Sequence, residues 1–291
     1  MRTAVILNPV SGRGRARNAY QTIKRQLEER GIAASYELTT RKGDGRRLAL
    51  KYANLGYNRV IVCGGDGTIH EAVNGLSNTD VLLGIIPVGT GNDLSRTLGI
   101  SRNIPAACSI IHAGRLKEID IAWVNGTTCF AGVGAIGFDS EVAALAERVK
   151  GFAPDILVYL IAIFAGLAAY TFKHLRISFD GEEYEGEVLL AAFGNSKFYG
   201  GGIMITPQAE IDDGKLDLCI VRRLNKVKLL LRLPAVYRGR HARFPEVSFF
   251  RTREAAVESD IPLNLYGDGE LVGRTPLTIE VMPKALRVLV P

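Results

Sequence analysis

The first hundred residues repeat one unit three times: an apolar run, a glycine-containing loop, then a helical pattern. "TAVILNPVSGRGRA" leads into "RNAYQTIKRQLEERG", "RVIVCGGDGT" into "IHEAVNGL", and "VLLGIIPVGTGND" into "LSRTLG". Continuous β-branched runs between helices suit strands buried on both faces. The pattern therefore predicts a parallel sheet covered by helices, an α/β domain of doubly wound type. After about residue 120 the pattern changes to short strands separated by turns, with hairpin signals in "FDGEEY" and "GDGEL". We expect an α/β domain over 1–122 and a β-rich domain over 123–291. The final "ALRVLVP" pairs either within the second domain or with the first.

Hydrophobic content of 47% and charged content of 23% argue against extensive disorder, and no repeat of solenoid length is present. Net charge is +6, yet Arg222 to Arg243 alone holds eight Lys or Arg and no acid, so the basic excess is local. Cys63, Cys108, Cys129 and Cys219 are scattered among apolar or small neighbours and read as reduced core residues. "MRTAVILNPVSG" has an apolar run too short for a signal peptide and no cleavage site after it, so a cytoplasmic chain is expected. The uncharged run Ile156 to Phe172 is at the bottom of the membrane-spanning range and reads better as a buried or membrane-surface helix.

In an open α/β sheet, ligands lie beyond the carboxyl ends of the strands. Glycine there lets backbone N–H groups approach a phosphate, and a following helix start adds a favourable dipole. The loops thus predict a phosphate cradle. It is not a Walker A loop, because no GxxxxGK[ST] occurs. "GVGAIG", Gly132 to Gly137, matches GxGxxG but sits at the domain junction, where close backbone packing is the better reading than dinucleotide binding. Asp66 would repel phosphates unless a divalent cation or a cationic network stands between, which points to phosphoryl transfer; a turn residue or helix cap is the plainer alternative.

"NPVSG" (Asn8 to Gly12), "GGDGTIHEAVNGL" (Gly64 to Leu76), "PVGTGNDLSRTLG" (Pro87 to Gly99), "DDGKLDL" (Asp212 to Leu218) and "GDGE" (Gly267 to Glu270) occur in that order over nearly the whole chain. Together they resemble the diacylglycerol kinase catalytic family, which includes soluble bacterial diacylglycerol kinases, YegS-like lipid kinases and sphingosine kinases. The resemblance implies a nucleotide-binding α/β domain, a C-terminal β-sandwich that takes the lipid, and an active site between them. It implies ATP contacts from Asn8, Pro9, Val10, Ser11 and Gly12, from Thr40 in "TTRKGD", and from Thr90. The same is implied for Gly64, Gly65, Asp66, Gly67, Thr68, Ile69 and His70.

The resemblance also makes Glu270 the proton acceptor for a lipid hydroxyl, with Asp268 orienting it or the metal; on a tight hairpin the two would share one strand face. It places a structural Mg²⁺ at Glu210, Asp213 and the Lys215 carbonyl, separate from a catalytic Mg²⁺ arriving with ATP. Asp93 and Asp120 resemble family aspartates that link this metal to the active site.

Leu229, Leu230, Leu231 and Leu233 lie among the eight basic residues, a composition that suits a peripheral segment on an anionic membrane surface; the plainer reading is a solvated helix face packed on the core. No nucleic-acid motif accompanies the charge. His70, His112, His174 and His241 are dispersed, and His241 in "GRH" could meet an anion. The expected function is an ATP-dependent kinase acting on diacylglycerol or a similar lipid. The competing readings are a NAD kinase-like enzyme and a non-catalytic lipid-binding protein. The acceptor and the oligomeric state, including a homodimer, stay open.

Overall fold

The computed structural model describes residues 1–138 and 170–291. The predicted apolar helix over Ile156 to Phe172 falls, through residue 169, outside the described residues. No described helix is long and apolar enough to cross a membrane.

The N-terminal part holds four strand–helix units rather than the three legible in the sequence. They are β1 (Thr3–Leu7) with α1 (Arg15–Glu28), β2 (Ala34–Leu38) with α2 (Asp44–Asn54), β3 (Arg59–Gly64) with α3 (Asp66–Leu76), and β4 (Leu82–Pro87) with α4 (Asp93–Thr97). The strands run parallel in the order β2-β1-β3-β4. β1 shows why the apolar runs are continuous. Ala4 and Ile6 pack with Leu48, Ile69 and Val73 of α2 and α3 on one face, while Val5 and Leu7 pack with Ile23 and Leu27 of α1 on the other. β2 escaped notice because it is the edge strand. Only half covered, it reads as the polar mixture "ASYEL" instead of an apolar run.

Helix α5 (Ile104–Ala113) leads into β5 (Arg115–Val124), β6 (Thr128–Phe130) and β7 (Val133–Gly137). The C-terminal part adds β8 (Lys173–Phe179), β9 (Glu182–Gly194) and the small hairpin β10 (Phe198–Tyr199) with β11 (Ile203–Met204). Next come β12 (Leu216–Arg222), α6 (Lys226–Val236), β13 (Val247–Thr252), β14 (Glu254–Ser259), β15 (Asn264–Gly267), β16 (Glu270–Arg274) and β17 (Leu277–Val290). Both signalled hairpins form. Asp180-Gly181 joins β8 to β9 and Asp268-Gly269 joins β15 to β16, all four residues at positive φ, as a type I′ turn requires.

The final "ALRVLVP" returns to the first domain, pairing with β4 and β5, while the earlier residues of the same strand stay with the second. The first half of β17 pairs antiparallel with β14, its end pairs parallel with β4, and β5 runs antiparallel beside it along most of its length. Between these halves Asp120, fully buried on β5, accepts the N–H of Lys284 at 2.8 Å and that of Gly214 at 2.6 Å. The carboxylate thus ties the bulge in β17 to the "DDGKLDL" turn before β12. "GVGAIG" contains β7, an antiparallel strand between β9 and β15, which has no place in a dinucleotide-binding strand–helix unit. The four cysteines are buried free thiols, as expected.

Candidate active site

Three of the four strand–helix turns meet at the carboxyl ends of β1, β3 and β4. Asn8 Nδ2 donates to Thr68 Oγ1 at 2.8 Å, and the Gly65 N–H donates to Ser11 Oγ at 3.3 Å, so the first turn is laced to the third. The β3–α3 and β4–α4 turns approach backbone to backbone: a Cβ on Gly89 would lie 2.4 Å from Gly65 Cα. Gly12, at φ +61°, has the same constraint, since its Cβ would fall 2.1 Å from the Val88 carbonyl oxygen. Only glycine permits both the close approach and the left-handed backbone.

Asp66 secures this junction. Its Oδ2 accepts the Asn92 N–H and its Oδ1 the Asp93 N–H, each at 2.7 Å. Part of the awkwardness of a carboxylate in a phosphate cradle is therefore resolved by backbone donors. Burial holds the Asp66 carboxyl above its usual range, with Asp93 and Asp268 pushing the same way and the two N–H groups opposing. Asp93 is likewise raised, chiefly by burial. It also reaches across to the second half of the chain, accepting the Gly201 N–H at 2.7 Å, and pairs with Arg96.

The fourth turn, β2–α2, carries Thr40. Its N–H and hydroxyl both donate to Asp44 Oδ2 at 2.8 Å. These bonds and Arg47 hold the Asp44 carboxyl well below its usual range, Thr40 being the main cause. Glu71 on α3 accepts the Gly43 and Gly45 N–H groups at 2.6 and 2.8 Å and fixes the rest of the turn.

The far wall is the Asp268-Gly269 hairpin. Asp268 is a turn residue at φ +53°, so strand alternation begins only at Glu270; the expectation that the two carboxylates share a strand face does not hold. Asp268 turns inward instead, taking the Ala131 and Gly132 N–H groups at 2.9 Å each and facing His70 Nδ1 at 3.5 Å. Gly132, first residue of the "GVGAIG" motif, serves this contact: a Cβ there would lie 2.4 Å from Asp268 Oδ1. Asn74, one turn beyond His70, exchanges hydrogen bonds with the Cys129 backbone at 2.8 and 2.9 Å and anchors α3 to the second half. Glu270 points across the opening to Lys42.

The result is one cleft of about 1430 Å³. Asn8 to Gly12, Thr40, Gly65, Asp66, Gly67, Thr68, Thr90, Asp268 and Glu270 all line it. Gly64, Ile69 and His70 do not: Gly64 ends the buried β3, Ile69 is in the core, and His70 is buried behind Asp268. Sequence reasoning missed Lys42, Glu71 and Asn92. Lys42 stood beside Thr40 in the quoted "TTRKGD", and Asn92, at φ +56°, is the kind of αL residue that "GND" signals.

The suggested metal residues lie elsewhere, on the turn before β12. Glu210 is exposed, whereas Asp213 Oδ1 accepts the Lys215 N–H at 3.0 Å and Asp213 Oδ2 pairs with Arg251. Close by, Asp217 is buried with Oδ2 lacking a hydrogen-bond partner. Its carboxyl is pushed up to about 6, mostly by burial, with Arg251, whose Nε lies 3.8 Å from Oδ2, opposing and Asp213 and Glu210 adding to the rise. A buried carboxylate oxygen without a hydrogen bond, among other carboxylates, is chemistry that suits a hard cation, although Arg251 already supplies positive charge there. Among the described residues no three His, Cys, Asp or Glu side chains form a metal-holding group, so most of the shell there would be backbone oxygen and water. His241 is not an anion site. It is buried, its Nε2 meets the Ile205 carbonyl at 2.9 Å, and burial lowers its pKa.

Residues 2–124 match the diacylglycerol kinase catalytic domain, and residues 132–290 match the YegS C-terminal NAD kinase beta sandwich-like domain. A diacylglycerol kinase of Mycobacterium tuberculosis is 36% identical over 296 residues, covering 100% of this chain and 95% of that protein. A solved structure of a candidate diacylglycerol kinase from Bacillus anthracis superposes with TM-score 0.86 at 28% identity, over 100% of this chain and 95% of that one. An NAD kinase from Archaeoglobus fulgidus, solved with ATP, has TM-score 0.56 at 12% identity over 99% and 93% of the two chains, a likeness of fold alone.

Gly89→Ala forces the β3–α3 and β4–α4 turns apart. It is expected to lower stability by about 1–3 kcal/mol in denaturant unfolding; unchanged stability would mean that the turns separate without strain. Asp44→Asn tests the Thr40 turn. Because the folded carboxyl lies below its unfolded value of about 3.9, its stabilisation is complete above that value and is lost as pH falls from there through the lower folded pKa. Thermal melts across the acid range should therefore show a shallower acid loss in the variant than in the parent; equal slopes would remove Asp44 as the cause.

Proposed function

The chain belongs to the diacylglycerol kinase family, and on that premise we propose that it is an ATP-dependent lipid kinase transferring the γ-phosphate to the hydroxyl of diacylglycerol. The observation that carries this reading is the convergence of the "GGDGT" turn and the "GDGE" hairpin, about two hundred residues apart, on a single cleft. A Cβ on Gly67 would lie 2.9 Å from Glu270 Oε1, so the base stands directly over the cradle.

The phosphate side is built from the Asn8–Gly12 turn, Gly65 to Thr68 and Thr90, with Arg13 and Arg41 as cations along the cleft. Phosphoryl transfer asks little covalent chemistry of the protein, so positioning and charge neutralisation provide most of the rate. Glu270 takes the acceptor's hydroxyl proton, a role generally worth about 10²- to 10⁴-fold. Asp268, held by two backbone N–H groups, keeps the hairpin seated and its carboxylate toward the cleft floor. Mg²⁺ bound with the nucleotide would neutralise charge on the phosphates, with Asp66 and Asp268, which line the cleft, as the carboxylates that would hold it. A second Mg²⁺ would be held by Glu210, Asp213 and the Lys215 carbonyl; there it would stiffen the turn that Asp120 ties to β17.

Access to a lipid falls to α6 and its flanks. Leu229 is buried against the sheet and Leu233 and Val236 pack beside it, while Lys228, Leu231, Tyr237 and Arg238 are exposed on the outer side. The segment is thus amphipathic, with its exposed side both basic and apolar. Arg223 and Arg232 are partly spent on Glu187 and Glu246, so the full count of eight overstates the available charge. At about 1 kcal/mol per basic residue near an anionic leaflet, the remaining cations suffice for reversible docking from the cytoplasmic side.

Incubation with labelled ATP and Mg²⁺, offering diacylglycerol in anionic mixed micelles, sphingosine or NAD, tests the reaction. Label in phosphatidic acid that drops by at least about 10²-fold in Glu270→Ala is the expected result; label only in NADP would sink the proposal. In liposome co-sedimentation, Lys228→Gln with Arg238→Gln should weaken binding to anionic vesicles and flatten its salt dependence. Binding indifferent to both the charges and salt would remove the electrostatic account.

A further inference from the structure

The Lys42 ammonium meets Glu270 Oε2 at 2.6 Å. The two side chains come from opposite walls of the cleft, Lys42 from the β2–α2 turn and Glu270 from the first residue of β16. The turn that carries Lys42 is fixed on both sides. Asp44 accepts the N–H groups of Thr40 and Arg41, and Glu71 accepts those of Gly43 and Gly45. Lys42 therefore reaches across from a rigid origin, although its own side chain is 73% exposed.

With Oε2 engaged, Oε1 is the oxygen set over Gly67 in the phosphate-facing turn. A carboxylate rotates freely about its last bond, and a second-site cation is one way to choose which oxygen faces the reaction. From this geometry we infer that Lys42 is a positioning residue for phosphoryl transfer, holding Glu270 Oε2 so that Oε1 receives the acceptor's proton. The inference rests on the proposed role of Glu270 as base.

In that step the acceptor O–H bond breaks and its proton passes to Oε1. The hydroxyl oxygen bonds to the γ-phosphorus, and the bond from that phosphorus to the bridging oxygen breaks, its electron pair leaving on the nucleoside diphosphate. Lys42 touches none of the reacting atoms. Its loss leaves a base that is present but misaimed, and a displacement on the order of 1 Å can cost about 10²-fold.

The test compares Lys42→Gln, Lys42→Arg, Glu270→Gln and the Lys42→Gln/Glu270→Gln double variant, using ATP, Mg²⁺ and whichever acceptor the unsubstituted protein labels. Lys42→Gln is expected to lower kcat about 10- to 100-fold while the KM for ATP moves less than about threefold. Lys42→Arg should recover most of the loss, and the double variant should fall no lower than Glu270→Gln alone. A raised KM for ATP at unchanged kcat would make Lys42 a phosphate ligand and overturn the positioning role, as would additive losses or ordinary kinetics in Lys42→Gln. If Glu270→Gln is inactive and Lys42→Gln keeps the kinetics of the unsubstituted protein, only this inference fails. If Glu270→Gln stays active, or no acceptor is labelled at all, the base assignment fails and takes this inference with it.

Discussion

The cleft is organised by one carboxylate that receives two backbone N–H groups. Asp66 opens α3 and binds the N-cap and the first residue of α4, Asn92 and Asp93, at 2.7 Å. That clamp brings Gly65 against Gly89 at a separation no side chain would tolerate. It also delivers Asp93 to the Gly201 N–H, one of the contacts between the two halves of the chain. A charge-assisted bond to backbone is stronger than a neutral one, and a buried carboxylate left without such donors would be costly.

The opposite wall follows the same logic with the parts reversed. Asp268 is in the second half of the chain and takes its donors, Ala131 and Gly132, from the entry to β7, while His70 closes on it from α3. Both carboxylates that face the cleft floor are therefore bound by paired N–H groups before any substrate arrives. Continuity of the sheet makes the arrangement rigid, because β17 pairs with β4 on one side of the molecule and with β14 on the other. Asp120 pins the bulge between those two pairings.

Much of this was legible in the sequence where burial on both faces leaves an unbroken apolar run, as in β1, β3 and β4. The edge strand β2 left no such mark, since its outward side chains need not be apolar; with it went the turn that carries Lys42. Glycine spacing located the phosphate-facing turns but not their partners. Nothing local to "GGDGT" says that Asp66 will bind the backbone of residues 92 and 93, or that Gly132 exists to admit Asp268. The assumption of strand alternation across "GDGE" failed because a type I′ turn consumes Asp268 and Gly269, and the side-chain period starts after them. In "RRLNKVKLLLRLPAVYRGRHAR" composition suggested an amphipathic segment, but only packing separates Leu229, turned in, from Leu231, turned out.

The distribution of charge accounts for how so many acids share one cleft. Asp93 and Asp268 raise the proton affinity of Asp66, and Asp268 raises that of Asp93, so the carboxylates are not left facing one another bare. Their oxygens instead meet N–H groups on the protein side, and the cations Arg13, Arg41 and Lys42 stand along the same cleft. Glu270 is the exception, an acid set among the cations at the opening, and its pairing with Lys42 keeps that one free carboxylate from adding to the repulsion. One ion pair thus both offsets the Glu270 charge and joins the β2–α2 turn to the β15–β16 hairpin across the mouth of the cleft.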